Sequence, residues 1–478
     1  MLQMSAIKAM PLSQPLPSFK MGFVTSLCTS TIFTMLLTGF SMVFAPLSHA
    51  TLTIEKAQKI AVESDLGITQ TLNRSQSSRA EAASQSQLPD PVLLVGAQNL
   101  PTDTFKFDQE PMTQFKVGIR QMFPQGDTLS LKELKLNAQA SSFESLAKTR
   151  YLTVTRTARS LWLEVLYWER ATNIIEQDEL LFEQLLEVTH SLYSVGSVQQ
   201  KDVLRAELER SRLREKIIKA KRQSEIQRAQ LSRWIGHVAT DSIWPEQFPK
   251  MQPPSKMVNP LESPKGQRYS SENRQRLFQQ LKTHPMLLSL QRQVDVAESD
   301  IRISKQQYQP AWGVELNYGY RDGVNNDGSD RSDFVSAMVN VSMPLFTNSR
   351  QDKSVQSAVF RKEAQQNAYQ DKLTEMVGEV QTITSRLAQV EEQIALFDEQ
   401  ILDKARLQAE SSLNAYQADA TDFAEVMRAF ISEQRDRLDY ERLVVTRLQL
   451  ISDLQFYYST ETPALALGSF ESLTGEAK

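Results

Sequence analysis

The sequence is poor in the residues that break or cross-link a chain. Its 478 residues include one cysteine, Cys28, with only 16 glycines and 19 prolines, roughly half the ordinary share of glycine. Scarce breakers imply long uninterrupted elements. Histidine is also rare, four residues with no cysteine or carboxylate at ligand spacing, so no metal site is expected. No phosphate-binding glycine loop, nucleophile elbow or spaced Ser/His/Asp set occurs. No enzyme and no cofactor are expected. The excess of acidic over basic residues, 57 against 53, argues against a nucleic-acid partner. Beyond residue 50 no apolar run reaches the ~18 residues of a membrane helix, so further membrane contact would have to be made by strands.

What is present begins with an export signal. Residues 1–50 hold no Asp or Glu, carry Lys8 and Lys20, and run apolar from about 21 to 45 before Pro46-Leu47-Ser48-His49-Ala50. That order reads as a signal peptide cleaved before Thr51; the alternative is an uncleaved anchor. Cys28 follows Leu27 rather than a small residue, which argues against lipidation. The mature chain would be cysteine-free, with 51 basic residues against 57 acidic ones and a formal charge of −6. Folding without disulfides suits a periplasmic or outer-membrane destination.

The rest divides into a first repeat, 51–240, a proline-rich linker, 241–271, and a second repeat, 272–460, with a flexible tail at 461–478. A shift of 223 lays the helical part of one half on the other without a gap. Phe123 falls on Phe346, Tyr193 on Tyr416, Arg205 on Arg428, Arg214 on Arg437 and Leu231 on Leu454. The same order of elements surrounds these matches, so the chain reads as an internal duplication.

Each half opens with a helical pattern, 54 to about 87 and 274 to about 309, and then changes period. Strands are expected at about 92–100, 113–123, 312–321 and 333–345. Phe115, Val117, Ile119 and Phe123 alternate with Lys116, Gly118, Arg120 and Met122, and Val314, Leu316, Tyr318 and Tyr320 with Gly313, Glu315, Asn317 and Gly319. Val335, Ala337, Val339, Val341, Met343 and Leu345 alternate with Ser336, Met338, Asn340 and Ser342. Length and alternation fit strands tilted across a bilayer. A half-buried sheet in a soluble sandwich would alternate likewise, but so few strands between long helices leave nothing soluble for it to pack on.

Unbroken helices are expected from about 129 to 192 and 351 to 415, each ~95 Å long at 1.5 Å per residue. Leu373, Val380, Leu387, Ile394 and Ile401, interleaved with Met376, Ile383, Val390 and Phe397, form a coiled-coil seam. Tips at 193–197 and 416–421 lead into returning helices, 199 to about 234 and 422 to about 458. Four strands cannot close a barrel, and lipid does not tolerate open strand edges. The chain must therefore oligomerise. A cyclic trimer would give twelve strands, although two or four copies satisfy the same argument.

This order of elements, given twice after a signal peptide, resembles the TolC family of outer-membrane factors. Leu88-Pro89-Asp90-Pro91, Gln109-Glu110-Pro111-Met112-Thr113-Gln114, Met122-Phe123-Pro124-Gln125-Gly126 and Tyr193-Ser194-Val195-Gly196 are similar to that family. The first three look most like members serving heavy-metal cation efflux. The resemblance implies a mainly α fold with a small membrane β part, in which a homotrimer builds a 12-stranded outer-membrane barrel continuous with a periplasmic α-barrel tunnel. It further implies a periplasmic adaptor and an inner-membrane pump of the RND type as partners.

On that reading Asp419, Asp422, Glu425 and Tyr416 at the second tip are gate candidates, because rings of acids attract cations. First-turn acids also cap helices, so both roles are open there. Asp419 stands where the first tip has Gly196, and Thr421 where a basic residue often occurs. Tyr193, Val195, Gly196 and Ser197 are adaptor-contact candidates, although Gly196 also suits a plain helix stop and both tyrosines could simply pack the hairpin ends. Lys116, Arg120, Glu315, Asn317, Arg321 and Asn340 are expected to face the barrel lumen. Met112, Met122, Met338 and Met343 read as packing rather than a copper path. Drug efflux, polypeptide secretion and, from another class, a periplasmic coiled-coil scaffold are the competing functions.

Overall fold

The computed structural model describes residues 51–255, 257, 271–418 and 420–459. The leader assigned to 1–50, the tail assigned to 461–478, most of the linker beyond 255 and Asp419 lie outside the described residues. Among the described residues the chain is mainly helical, with one four-stranded sheet. Helices α1 (Ile54–Ser64) and α2 (Leu66–Gln85) precede β1 (Val92–Gln98) and β2 (Gln114–Phe123). Then come α3 (Thr128–Ser194), α4 (Gln200–Ile235) and the short α5 (Val238–Asp241). The second half repeats the order as α6 (Ser271–Leu281), α7 (Pro285–Gln306), β3 (Ala311–Tyr320), β4 (Phe334–Ser342), α8 (Gln351–Leu396), a π-helical turn (Phe397–Ile401), α9 (Leu402–Gln417) and α10 (Phe423–Tyr458).

The repetition is numerical. α3 starts at 128 and ends at 194; the rod α8–π-turn–α9 starts at 351 and ends at 417, both bounds displaced by 223. α4 and α10 are displaced by the same 223 and are each 36 residues long. Each long rod, at 1.5 Å per residue, spans ~100 Å.

Two local departures from the sequence pattern have physical causes. Both opening helices break after 11 residues rather than running through. In the first, the Asp65 carboxylate accepts the Ile68 N–H at 2.8 Å and so caps a new helix. In the second, Pro285 can start a helix but cannot continue one, since it lacks the N–H and its ring blocks the preceding turn. The second long rod is also not a plain α-helix. Below Val390 the small and apolar positions step by four through Phe397, Ile401, Ala405 and Ala409, a spacing that the wider π-turn absorbs. Leu373, Met376, Val380, Leu387 and Val390 of the seam are buried, whereas Ile383, Ile394, Phe397 and Ile401 are only half-buried.

Three cores hold the rods together. The first surrounds Trp162, 1% exposed, whose indole donates to the Leu52 carbonyl at 3.0 Å and lies 5.7 Å from the Trp244 ring. Leu52 is fully buried there, and its own N–H donates to Ile243 at 2.9 Å. The second gathers Leu373, Met376, Val380, Ile451 and Leu454; Met251, from the linker's first stretch, packs against both cores. The third, nearer the tips, joins Phe182, Leu213, Phe423 and Met427.

His284 adjoins the second core at the α6–α7 break and is 1% exposed. Its Nδ1 accepts the Met286 N–H at 3.2 Å while Nε2 reaches the Phe456 carbonyl at 3.1 Å. One ring nitrogen accepts and the other donates, which is the neutral tautomer. Burial disfavours the charged form and takes the pKa from 6.5 to about 4. Below pH 6.5 the unfolded chain therefore takes up a proton that the folded chain refuses. The stability tied to this ring, about 3 kcal/mol, is complete above pH 6.5 and lost as pH falls through about 4. The melting temperature in detergent should drop between pH 6.5 and 4, and His284→Gln should flatten that part of the curve. Identical slopes would contradict the assignment.

Candidate functional site

The sheet and the two tips lie at opposite ends of the long helices. In the sheet the strands run in the order β1-β2-β3-β4, all antiparallel, leaving β1 and β4 as open edges. β1 with β2 and β3 with β4 are local hairpins, while β2 and β3 join the two halves. Register puts Leu93, Ile119, Leu316 and Ala337 in one row on one face, and Val95, Val117, Tyr318 and Val335 in the next. Arg120, Glu315 and Met338 share a row on the other face, with Gly118, Asn317 and Ser336 beside them.

Burial is inverted relative to a water-soluble sheet. Leu316 is 51% exposed and Val339 66%, whereas Glu315 and Asn317 on the polar face are 4% and 2% exposed. Among the described residues no helix is packed extensively across either face. Aromatic rings close both ends of the apolar face: Phe123 stacks on Trp312 at 4.1 Å at one end, and Tyr318, Tyr320 and Phe115 stand at the other. From Trp312 to Tyr320 the strand covers roughly 26 Å at ~3.3 Å per residue.

The polar face is organised around Glu315. Its Oε2 accepts from Arg120 Nε at 2.8 Å and Nη2 at 2.5 Å, its Oε1 accepts from Asn317 Nδ2 at 2.9 Å, and Lys116 Nζ stands 3.9 Å away. Gly118 makes this possible: a side chain there would collide with Asn317 Oδ1. Asn340 faces Gly313 across the β3–β4 ladder, on the same side. Met122 and Met338 belong to this polar side too, 39% and 47% exposed, so packing in a core does not account for them in the single chain. Arg321 is placed differently from the others. It stands one residue beyond β3, where its guanidinium donates to Ser332 at 2.6 Å and Pro111 at 3.0 Å and lies over the Phe334 ring. Arg331, which the sequence pattern did not single out, donates to the carbonyls of Asp108 and Asp322, both at 3.1 Å. These two arginines tie the outer loops to each other.

At the other end, the first tip closes as a Schellman turn. Gly196 takes φ +78°, Gly196 N–H donates to Tyr193 at 3.0 Å and Ser197 N–H to Leu192 at 2.9 Å. Only glycine takes that φ without strain. The second tip repeats the longer bond, Ala420 N–H to Ala415 at 2.8 Å, again 223 residues on. Val195 is 73% exposed and Tyr193 46%, so both offer apolar surface at the extreme end. Tyr416 packs beside the Phe423 ring at 5.6 Å.

The acids at the second tip have local partners. Asp422 caps α10, accepting the Glu425 N–H at 2.8 Å, and Glu425 pairs with Arg428 at 2.5 Å. Between the two tips runs a groove lined by Lys201, Leu204, Arg205 and Leu208 on one side and by Thr421 and Asp422 on the other. Sequence reading missed the α4 side of this groove. Its signal, Leu204 and Leu208 at helical spacing among cations, looks like any amphipathic stripe until both prove half exposed. Among the described residues no helix is long and apolar enough to cross a membrane, and no group of His, Cys, Asp or Glu could hold a metal ion.

Residues 277–454 match a family model described as outer membrane efflux protein. No curated protein matches. Among solved structures, the chain is similar to CusC, described in work on conformational changes accompanying folding and transmembrane channel formation, at TM-score 0.69 and 15% identity over 86% of this chain and 92% of that one. It is similar to the CmeC outer membrane channel of Campylobacter jejuni, at TM-score 0.70 and 10% identity over 89% and 90% of the two chains. It is also similar to the open state of the MtrE outer membrane channel of Neisseria gonorrhoeae, at TM-score 0.64 and 14% identity over 86% and 91%. Identities this low speak for a shared fold.

Proposed function

We propose that this chain is the outer-membrane exit duct of a tripartite efflux system, a passive channel whose energy comes from an inner-membrane pump. The observation that carries the reading is the inside-out sheet, with Leu316 half exposed while Glu315 and Asn317 are buried. Such a face is stable in hydrocarbon and costly in water. Its two open edges require further copies, and a homotrimer closes twelve strands into a barrel with the polar face as lumen. The long rods then form a periplasmic tunnel ending at the tips, where Tyr193, Val195, Gly196 and Ser197 meet an adaptor. The α4 edge of the groove belongs to the same docking surface.

Within this reading the pump is of the RND type, and the motifs at 88–91, 109–114 and 122–126 favour heavy-metal cations as cargo. Growth of a deletion strain across a panel of metals, drugs and secreted proteins separates that cargo from the alternatives. A periplasmic scaffold would leave membranes in high salt or alkali; an embedded barrel stays until detergent is added.

The gate is assigned to Asp419, Asp422, Glu425 and Tyr416 of the second tip. Asn caps a helix as well as Asp, so Asp422→Asn removes charge and keeps the turn. Purified protein in a planar bilayer should open discrete, cation-preferring channels, and Asp419→Asn with Asp422→Asn should weaken the preference several-fold. Unchanged selectivity in the double variant would remove the gate assignment.

A further inference from the structure

The strands place very little charge on the polar face. Along β1 to β4 its ionisable side chains are Lys116, Arg120 and Glu315, two cations against one anion. Glu315 is almost fully enclosed, and its oxygens are taken up by Arg120 Nε and Nη2 and by Asn317 Nδ2. Lys116 Nζ is 3.9 Å from it, at the outer limit of an ion pair, so the carboxylate leaves most of the ammonium's donors unused. The Lys116 and Arg120 side chains stay 25% and 39% exposed while the Glu315 side chain is 5% exposed. The negative charge is thus sealed beneath the sheet's polar layer and the positive charge is presented.

We propose that Lys116 and Arg120 form an anion-binding collar on the inner wall of the barrel, one site per copy, for polyvalent oxyanions such as phosphate- or carboxylate-bearing groups. The proposal rests on the polar face being the lumen. Glu315 offsets part of the collar's charge: its Oε2 takes two donors of Arg120, and its Oε1 lies 3.9 Å from Lys116 Nζ. Asn317, lying in the space Gly118 leaves, fixes Glu315 in turn. Each copy contributes a net charge of one positive unit, and repetition around the axis makes a ring whose field is focused by the low-dielectric wall. Free cations outside the cell meet a barrier at this level. A cation cargo crosses it only when driven, and the same field opposes its return.

The test uses the full protein in planar bilayers at low ionic strength, where the field extends furthest, with inorganic triphosphate added on the barrel side. Triphosphate should lower the open-channel current of the unaltered protein. Lys116→Gln with Arg120→Gln should need at least several-fold more triphosphate for the same block, and Glu315→Gln several-fold less. Lys116→Gln alone serves as the mild variant, because the removed group is only loosely paired and its loss leaves the Arg120–Glu315 bond in place; it too should weaken block. Equal block in the unaltered protein and both lysine variants overturns the collar while leaving the duct intact. If the unaltered protein forms no channel at all, the duct reading falls and the collar with it.

Discussion

Leu316→Arg is expected to prevent the protein from accumulating as an assembled barrel, while Asn340→Arg, on the opposite face of the same sheet, is tolerated. Leu316 lies near the middle of β3, about half exposed, in a row with Leu93, Ile119 and Ala337. At the midplane of a bilayer an arginine costs about 2–4 kcal/mol per copy, and the cost repeats in every copy of the assembly. Were this face in water, replacing an exposed leucine would change stability by no more than about 0.5 kcal/mol. The two environments give opposite outcomes for one substitution. Quantifying the unheated oligomer band in outer-membrane fractions checks it, and wild-type levels of Leu316→Arg would contradict a lipid-facing sheet.

Trp162→Ala should be the most damaging single change in the helical part, costing about 3–5 kcal/mol. The indole is 1% exposed and lies among Leu163, Leu166, Leu231 and Val445. Removing it opens a cavity at the meeting place of both halves and takes away the donor to the Leu52 carbonyl. That bond and the Leu52 side chain pin the segment leading into α1, so its release should follow. Thermal melting in detergent reports the first effect, and protease cleavage ahead of Ile54 reports the second. Trp162→Phe, which keeps most of the volume and loses the hydrogen bond, should lie between Ala and the native residue.

Much of the fold was readable because the chain carries strong periodic signals and few breakers. The alternation of Phe115, Val117 and Ile119 with Lys116 and Arg120 fixes which side chains share a face, and the ladder pairs them accordingly. The 223-residue shift locates both tips because each helical hairpin is closed by the same backbone bond, Ser197 to Leu192 and Ala420 to Ala415. The breaks were less visible. Asp65 is one acid among many until its carboxylate is seen to cap Ile68 and to hold Arg150 at 2.8 Å. The π-turn opens a run of consecutive four-residue steps in a seam that otherwise alternates threes and fours, a signal easily absorbed into a continuous coiled coil. Strand parity assigns Arg321 to the polar face, yet the ladder ends at Tyr320 and the guanidinium turns to loop carbonyls that no spacing rule anticipates. Likewise, nothing in the order Lys116, Arg120, Glu315 tells that one carboxylate separated by nearly two hundred residues joins the two cations. That depends on β2 pairing with β3 across the duplication.

The sheet's environment can be read along β4 with single cysteines introduced one at a time from Phe334 to Ser342 in a background lacking Cys28, each probed in intact membranes with a membrane-impermeant maleimide. All nine positions belong to one regular strand. Val335, Ala337, Val339 and Val341 should resist labelling until the lipid is dissolved, while Ser336, Met338 and Asn340 react through water. Uniform labelling of both sets, or reaction at the valines first, would mean that this face never meets hydrocarbon.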